Sequence, residues 1–422
     1  MFLYNIVLRL THLSFRLVWA CKPIRRHMKN HHPKTFQFVM GQRTLLPAIL
    51  HEMEGNVKDV YWFHAASAGE YNAIRPIIRK IDRRKTCVVV TLFSPSGYES
   101  LTNKNRKGEE ADHIFYLPLD TPSATRRFLD TIRPSKAIFA ISEYWINYLH
   151  ELEKRHIPTF WVSMLVNDKS YLLKWYARPI RKALHAVRTF MVLDTITKDN
   201  LKKMGFNNTV VIGDPLLDNA INISKEAYRN LVVEKFAMAK TGVFVAGSIS
   251  DKKDLRLVAA LANAHRDVKF IVVPHEISEE SLNKVVYEME GKTLLFSECD
   301  ANTDFTDTQV LVIDFLGSLS RIYRYGTWAY VGGGFTPYLH SVIEPMVYGI
   351  PISFGPRIER KNTPRQMIDL GVGCIVRNTR DIKSWFESVK SKERLEAIRE
   401  KSEAFALKNS HATDKAVQII SA

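Results

Sequence analysis

Two acidic residues follow predicted strands in the N-terminal half of the chain and could do acid–base chemistry. Glu70 ends the segment 62–70, in which a strand breaks into a small-residue loop and a helix begins. Glu143, in the segment 141–145, likewise follows a predicted strand and precedes a predicted helix. Ligands of α/β proteins collect at the carboxyl ends of strands, so two such carboxylates on neighbouring turns indicate a shared cleft. Glu70 would there take the proton from an acceptor hydroxyl.

Each of these carboxylates also has a purely structural interpretation. Ser67-Ala68-Gly69-Glu70 fits the S-x-x-E capping box, in which the Ser and Glu side chains bind free backbone amides at the start of a helix. Glu143 is also explained as a helix-start acid, which the positive end of the helix dipole favours. Spacing alone leaves both interpretations open.

A second group of polar residues follows predicted strands in the C-terminal half. The strand at 328–331 runs into three consecutive glycines, where backbone can approach a ligand closely. Glu344 opens a helix about ten residues later, shortly after His340, and could accept both hydroxyls of a ribose. Amides and a cation for a phosphate and a base could come from Gly247-Ser248, Pro274-His275 and Leu316-Gly317-Ser318. Taken alone, each of these three segments is more often an ordinary turn than a binding site.

Several common enzyme motifs are missing from the sequence. It has no G-x-x-x-x-G-K-[ST], G-x-G-x-x-G, H-E-x-x-H or G-x-S-x-G pattern. These absences disfavour P-loop ATPases, dinucleotide-fingerprint dehydrogenases, zincins and α/β-hydrolases. The sequence also lacks a D-x-D pair, so a metal-dependent sugar-nucleotide site is not supported.

The charge balance points to an anionic partner. The 422 residues include 60 Lys and Arg against 44 Asp and Glu, a net charge of +16. Nucleic acid, phospholipid and a phosphorylated substrate would all fit that charge, but the basic residues gather beside an N-terminal helix rather than along a nucleic-acid recognition element. The 4 cysteines form no C-x-x-C pair, which favours a reducing compartment over a zinc cluster or a disulfide framework.

The N-terminus has the pattern of an amphipathic helix. One face carries Leu3, Ile6, Val7, Leu10, Leu13 and Leu17, and the opposite face carries Asn5, Arg9, His12 and Arg16. Two arginines within roughly 20 residues are costly at a bilayer centre, so the helix is expected to lie in the membrane plane rather than to span it. The basic run 22–34 would contact anionic headgroups. The alternative is a helix packed on its own domain.

Short apolar runs alternate with helical patterns from Val57 onward, which predicts parallel sheets. Predicted strands of the first half are 60–63, 87–92, 137–141 and 159–162, with helices at 71–81, 123–131 and 145–155. Predicted strands of the second half are 190–193, 209–212, 243–246, 270–273, 310–312 and 328–331, with helices at 255–264, 279–288, 318–325 and 344–348. We therefore predict an N-terminal helix and basic segment (1–35), a Rossmann-like domain (36–200), a second one (201–400) and a C-terminal helix (401–422).

At these positions the sequence resembles the 3-deoxy-D-manno-octulosonic acid (Kdo) transferase family. The matching stretches are 62–70, 91–97, 116–120, 143–147, 246–248, Pro274-His275, Gly332-Gly333 and 340–351. Compact variants such as 274–277 look most like Bacteroidetes members. The resemblance implies an α/β GT-B glycosyltransferase fold, in which two Rossmann-like domains face a central cleft, with an N-terminal amphipathic membrane helix.

The resemblance also implies a reaction and a set of site residues. The expected reaction is transfer of Kdo from CMP-Kdo to the lipid A precursor, lipid IVA, with inversion, in lipopolysaccharide core biosynthesis. Glu70 would be the general base and Glu143 would support the transition state. The CMP site would comprise Pro274, His275, Leu316, Gly317, Ser318, Ser341, Val342, Ile343 and Glu344. No metal or other cofactor is expected.

The same resemblance sets the expected partners and location. The partners would be CMP-Kdo, the lipid A precursor and the anionic surface of the inner membrane, with no nucleic acid. The protein is expected on the cytoplasmic face of that membrane, as a peripheral or monotopic protein. Two alternatives stay open: another GT-B transferase that uses a different nucleotide sugar on a lipid or polysaccharide, and a non-catalytic basic membrane-binding protein.

The sequence departs from the family pattern in four places. Leu216 stands where the family usually has a Lys or Arg that is thought to stabilise the transition state. Ser341 replaces an Asn next to the ribose glutamate, Ser318 replaces a Glu, and Thr336-Pro337-Tyr338 replaces a G-x-G. Cations that could stand in at Leu216 are Lys169, Lys174, Arg178 and Lys198.

Overall fold

A computed structural model describes residues 2–102, 110–238, 241–359 and 362–422, with side chains from Tyr4 onward. The chain divides into two compact units. The first is Met1–Asp218 together with Ser410–Ala422, and the second is Asn219–Asn409. The division falls after residue 218 rather than 200, because strands on both sides of residue 200 belong to the first sheet.

The first unit is built on a parallel sheet of seven strands, in the order β3-β2-β1-β4-β5-β6-β7. Its strands are β1 Asp59–Ala65, β2 Thr86–Leu92, β3 His113–Tyr116, β4 Pro134–Ala140, β5 Thr159–Met164, β6 Val187–Val192 and β7 Thr209–Val211. Helices cover both faces, so successive side chains of one strand are both buried. Trp62 and Phe63 show this, because they are fully buried in separate apolar clusters.

Ten α-helices start in the described residues of the first unit's main segment. They are α1 Phe2–Ala20, α2 Lys22–His31, α3 Pro33–Met53, α4 Ala68–Lys80, α5 Pro95–Thr102, α6 Pro122–Ile132, α7 Ile146–Lys154, α8 Arg178–Ala183, α9 Thr195–Lys203 and α10 Pro215–Lys225. Capping residues explain several of the starts. Thr121 accepts from the Ala124 amide at α6, and Asp194 accepts from the Thr197 amide at α9.

The second unit holds another parallel sheet of seven strands, in the order β10-β11-β9-β8-β12-β13-β14. These strands are β8 Val243–Ile249, β9 Lys269–Pro274, β10 Thr293–Leu295, β11 Val310–Val312, β12 Trp328–Val331, β13 Ile352–Phe354 and β14 Gly373–Ile375. Its helices are α11 Leu231–Phe236, α12 Lys252–Ala264, α13 Glu279–Glu288, α14 Leu319–Ile322, α15 Ile343–Met346, α16 Thr363–Leu370, α17 Thr379–Ser388 and α18 Lys392–Asn409. The last helix, α19 Ala412–Ser421, packs into the first unit.

Two groups of strand predictions were wrong. The strands at 190–193 and 209–212 are β6 and β7 of the first sheet, not the start of the second. Strands β3, β10, β13 and β14, of three or four residues each, were not predicted, whereas the equally short β11 and β12 were. The other predicted strands overlap observed ones, with ends that differ by up to three residues.

Helix α1 packs on its own unit through one face and exposes apolar residues on another. Tyr4, Phe15 and Trp19 contact the apolar core, and Val18 is buried in it. Val7, Leu10, Leu13 and Leu17 are 53–60% exposed. In the described residues, no helix is both long enough and apolar enough to pass through a membrane.

Candidate active site

The Glu70 side chain lies where strand β1 gives way to helix α4. Ser67 caps the helix, since its Oγ accepts from the Glu70 amide at 3.4 Å. The Glu70 carboxylate in turn accepts from the Ala66 amide, with a distance of 2.6 Å to Oε2. The capping interpretation therefore holds for Ser67, and the same turn fixes the position of the Glu70 carboxylate.

The Glu143 side chain follows strand β4, which pairs directly with β1 in the sheet. Ile141 begins this turn in the left-handed region, with φ of 55°, which costs a β-branched residue about 1–3 kcal/mol. The Trp145 indole Nε1 donates to Glu143 Oε2 at 2.8 Å. Only 13% of the Glu143 side chain is exposed. A strained and hydrogen-bonded turn thus presents the second carboxylate.

The two carboxylates interact with each other. Burial is the main reason that the pKa of Glu70 rises to about 8, and the negative charge of Glu143 raises it further. The backbone amides of Ala66 and Ser67 act in the opposite direction, because they stabilise the charged form. The structure thus brings together Glu70 and Glu143 and gives Glu70 the proton affinity of a base that works near neutral pH.

A buried imidazole supports this pair, and sequence reasoning did not find it as a separate site residue. His64 is fully buried, and its Nε2 lies 2.8 Å from Trp145 Nε1 and 3.5 Å from Glu143 Oε2. Its Nδ1 lies 2.9 Å from Thr91 Oγ1, which also accepts from Trp62 Nε1 at 2.8 Å. The available signal was the W-x-H spacing, since side chains two apart share one face of a strand.

The turn 91–97 supports the Glu70 loop from the neighbouring strand β2. The Ser94 amide donates to the Ala66 carbonyl at 2.7 Å. A Cβ on Gly97 would approach the Ala68 amide nitrogen to 3.0 Å, so a larger residue would press on the start of helix α4. This contact gives a structural reason for glycine at position 97, the end of the turn 91–97.

The residues predicted for a CMP site lie at one edge of the second sheet. Strands β11, β9, β8 and β12 are neighbours there, and all are parallel. Pro274 ends β9 and His275 follows it, while Leu316, Gly317 and Ser318 follow β11. Ser341, Val342, Ile343 and Glu344 follow β12 and begin α15. All nine therefore lie at or after the carboxyl ends of adjacent strands, where such folds bind ligands.

Several contacts connect these segments. The rings of His275 and His340 lie 4.6 Å apart. Burial raises the pKa of Tyr323, and the negative charge of Glu344 raises it further. Glu344 therefore lies near the helical segment 319–325, which Ser318 precedes. Ser318 is buried, and its Oγ makes no hydrogen bond to the described part of the chain. Leu316 is exposed.

A buried carboxylate holds the glycine-rich loop of the second unit, and it was also missed from the sequence. Asp254 is fully buried and accepts from the Gly333 amide at 2.8 Å and from Tyr330 Oη at 2.6 Å. The Gly332 amide donates to the Gly247 carbonyl at 2.9 Å. The loop after β12 is therefore fixed against the end of β8. Asp254 gave no signal, because it looks like any acid in the first turn of a helix.

Leu216 lies in the first turn of helix α10 and is half-buried. Its amide donates to Asp214 Oδ1 at 3.0 Å. The cations considered as substitutes, Lys169, Lys174, Arg178 and Lys198, all have exposed side chains.

Solved structures share this architecture. A UDP-GlcNAc 2-epimerase from Neisseria meningitidis matches with a TM-score of 0.60 at 12% identity, over 86% of this chain and 99% of that one. MurG from Acinetobacter baumannii matches with a TM-score of 0.55 at 11% identity, over 86% of this chain and 99% of that one. With two seven-stranded parallel sheets and ligand-type turns at their carboxyl edges, the protein has the GT-B fold.

Sequence comparison finds similarity to Kdo transferases. Residues 32–218 match the family model described as 3-Deoxy-D-manno-octulosonic-acid transferase (kdotransferase). The chain is 26% identical to a 3-deoxy-D-manno-octulosonic acid transferase of Aquifex aeolicus over 355 residues, 82% of this chain and 90% of that protein. It is 24% identical to that of Chlamydophila psittaci over 343 residues, 77% and 76% of the two chains. Most of the chain is thus similar to Kdo transferases, and residues 32–218 match the model of that family, which supports a glycosyltransferase.

Proposed function

We propose that the protein transfers Kdo from CMP-Kdo to the lipid A precursor, lipid IVA, with inversion at the anomeric carbon and without a metal ion. Similarity to Kdo transferases supports the sugar. The observation that carries the mechanism is the contact between Glu70 and Glu143 at the carboxyl edge of one sheet. The sequence has no D-x-D pair to hold a metal with a sugar nucleotide.

The proposed reaction is a single displacement. The acceptor hydroxyl oxygen forms a bond to the anomeric carbon, and its proton passes to the Glu70 carboxylate. The bond between that carbon and the phosphate oxygen breaks, and its electron pair leaves with CMP. Positive charge develops on the sugar in the transition state, and the nearby negative charge of Glu143 stabilises it.

The second unit would bind the donor. Glu344 would accept both ribose hydroxyls from the first turn of α15, and the imidazoles of His275 and His340 would lie near the phosphate. Ser318 supports a ligand at this edge, because its buried hydroxyl is otherwise without a hydrogen-bond partner among the described residues. Burying an unsatisfied hydroxyl is costly, and a bound nucleotide would remove that cost.

The donor assignment is tested by offering purified protein a panel of nucleotide sugars. CMP-Kdo, generated in situ, is compared with other CMP-sugars and with UDP-sugars, each with tetra-acylated lipid A precursor, and products are identified by mass spectrometry. We expect product only with CMP-Kdo. Turnover of another nucleotide sugar in its place would show instead a different GT-B transferase, to which the departures at Leu216, Ser318 and Ser341 would then be relevant.

We further propose that helices α1 and α2 attach the protein to the anionic cytoplasmic face of the inner membrane without spanning it. The apolar stripe of α1 is exposed at Val7, Leu10, Leu13 and Leu17. Helix α2, which contributes no buried residue, brings Lys22, Arg25, Arg26, His27 and Lys29 next to it in sequence. An exposed apolar stripe followed by a cationic helix fits a lipid bilayer, because the bilayer interior is apolar and its headgroups are anionic.

Vesicle binding tests this attachment. Leu10→Asn with Leu13→Asn removes exposed apolar side chains without touching the core, and should reduce co-sedimentation with vesicles that contain phosphatidylglycerol. Replacing Lys22, Arg26 and Lys29 by Gln should weaken binding by roughly fivefold each at low salt, since each cation contributes about 1 kcal/mol. Leu407→Asn, at another exposed leucine, is the matched control. Equal binding of all variants would contradict a membrane role for α1 and α2.

A further inference from the structure

The buried residue Asp120 connects three parts of the first unit that the proposed reaction leaves unexplained. It ends the motif 116–120 after strand β3, and none of its surface is exposed. Tyr4 Oη of helix α1 donates to its Oδ2 at 2.6 Å. The Asn147 amide donates to the same oxygen at 3.0 Å, and the Tyr148 amide donates to Oδ1 at 2.9 Å. One carboxylate thus binds α1 and the first turn of α7 together.

These contacts fix the position at which helix α7 begins. The first amides of a helix have no partner inside it, so a buried helix start needs acceptors from elsewhere. Asp120 supplies both oxygens to Asn147 and Tyr148, and the helix dipole favours its negative charge there. The turn that carries Glu143 ends directly at this start, with Trp145 in the cap position. Holding the start of α7 therefore constrains Glu143 from its carboxyl-terminal side.

Helix α1 makes a second polar contact with the same turn. The Asn147 side chain donates through Nδ2 to Asn5 Oδ1 at 2.8 Å, and also to the Asp120 carbonyl. Asn147 is 3% exposed, so this amide is almost entirely removed from water. Losing a partner of a buried polar group costs about 1–3 kcal/mol. Consecutive positions of α1 are therefore connected to the start of α7, Tyr4 through Asp120 and Asn5 directly.

An aromatic series reaches the turn independently of Asp120. Ring centroids lie 6.1 Å apart for Phe15 and Phe38, 4.9 Å for Phe38 and Phe93, and 4.8 Å for Phe93 and Trp145. The Trp145 indole donates to Glu143 Oε2 at 2.8 Å. Phe15 lies on α1, so packing also transmits the position of that helix to the residue that binds Glu143.

We propose that helix α1 positions Glu143, with Tyr4, Asn5 and Asp120 as positioning residues that act through Asn147 and Trp145. This inference rests on the proposed catalytic role of Glu143. The N-terminal helix is then more than an attachment device, because one face is exposed for the membrane and another holds the catalytic turn. It also explains why the motifs at 116–120 and 143–147 occur together with this helix.

Hydrogen exchange and steady-state kinetics of Tyr4→Phe test the proposal in the full-length protein. This variant removes only the hydroxyl that binds Asp120. Ser14→Ala is the matched control, since it removes a hydroxyl from an exposed position of the same helix. We expect faster amide exchange in residues 141–148 of Tyr4→Phe, and a kcat lower by roughly two- to thirtyfold with an unchanged KM for CMP-Kdo. Ser14→Ala should match wild type in both.

The two readouts separate positioning from a merely structural role. If Tyr4→Phe lowers the melting temperature but leaves both kcat and exchange in 141–148 at wild-type values, the proposal is wrong. Asp120→Asn should reproduce the effect of Tyr4→Phe, and the double variant should lose less than the sum of the two. If wild type transfers no Kdo, the proposed function fails, and exchange in 141–148 alone then decides whether α1 positions the turn.

Discussion

The proton affinity of Glu70 comes from the place where strand β1 ends. The carboxylate is mostly buried, and Glu143 adds a second negative charge beside it, so the pKa rises to about 8. A fully exposed glutamate would be too weak a base to take a proton efficiently near neutral pH. The proposed roles would then differ between two acids of the same type because their surroundings differ, which is a common way to build an acid–base site.

The pH dependence of kcat/KM tests this account of Glu70. Below a pH of about 8 the carboxyl is protonated and cannot accept the hydroxyl proton, so the wild-type rate should rise with pH through that value. Glu143→Gln removes the like charge and should move this rise to lower pH, besides lowering the maximum. Glu54→Gln, at an exposed position, should leave the profile unchanged. A wild-type profile that is flat through pH 8 would contradict a Glu70 base.

At the level of elements, the close contact between β8 and β12 requires glycine at the start of the loop 332–334, which follows β12. A Cβ on Gly332 would lie 2.1 Å from the Ser248 carbonyl oxygen, which is backbone and cannot rotate away. Strands β8 and β12 pair up to Gly247 and Val331, so the clash would fall at the end of this pairing. Only glycine therefore allows the chain to turn here without separating the two strands.

Gly332→Ala is expected to destabilise the second unit by about 1–3 kcal/mol and to weaken binding of CMP. Urea unfolding measures the first effect, and isothermal titration with CMP measures the second. Gly41→Ala is a suitable control, because its Cβ would meet only the Tyr116 ring at 3.6 Å, an ordinary contact. If wild type and Gly332→Ala had equal stability and equal affinity for CMP, the loop would accommodate a Cβ at residue 332. That result would contradict the close contact with the Ser248 carbonyl.

The sequence predicted the elements that carry the first site but not the exact division between the two sheets. Strands β1, β2, β4 and β5 are long apolar runs buried on both faces, and such runs are visible in a sequence. The predicted boundary at residue 200 falls inside helix α9, between strands β6 and β7 of one sheet. Pairing of β6 with β5 is a tertiary contact, which local pattern does not encode.

The same distinction applies to site residues. Glu70 and Glu143 were predicted, since each follows an apolar strand and precedes a helix. Only the W-x-H spacing pointed to His64, and the roles of Asp120 and Asp254 could not be predicted, because the Asn147 amide and the Tyr330 hydroxyl that they bind are 27 and 76 residues away. Such partners become neighbours only when parallel strands align, so spacing along the chain carries no trace of them.

At the scale of the whole molecule, the chain ends in the unit where it begins. Helix α19 buries Ala412, Ala416 and Ile420 in the first unit's core. The amides of His411 and Thr413 donate to Asp218 at 2.8 and 2.6 Å, and Lys80 forms an ion pair with Asp414. The C-terminal helix is therefore a structural part of the unit that holds Glu70.

Ile420→Ala should lower the free energy of unfolding of the first unit by about 2–5 kcal/mol, because it leaves a cavity in a fully buried position. Gln418→Ala changes an exposed residue of the same helix and should have little effect. Urea denaturation, followed by hydrogen exchange in strands β1 and β4, would locate the loss. If the two variants were equally stable, α19 would not be part of that core in solution.

The most direct test of the central claim compares Kdo transfer by wild type and Glu70→Gln. Purified protein is incubated with CMP-Kdo, generated in situ, and tetra-acylated lipid A precursor, and the acceptor product is quantified by mass spectrometry. We expect wild type and Glu54→Gln to form the Kdo-bearing product, and Glu70→Gln to be slower by roughly 10²- to 10⁴-fold, the usual contribution of a general base. A Glu70→Gln rate near that of wild type, or no transfer by wild type, would contradict the account.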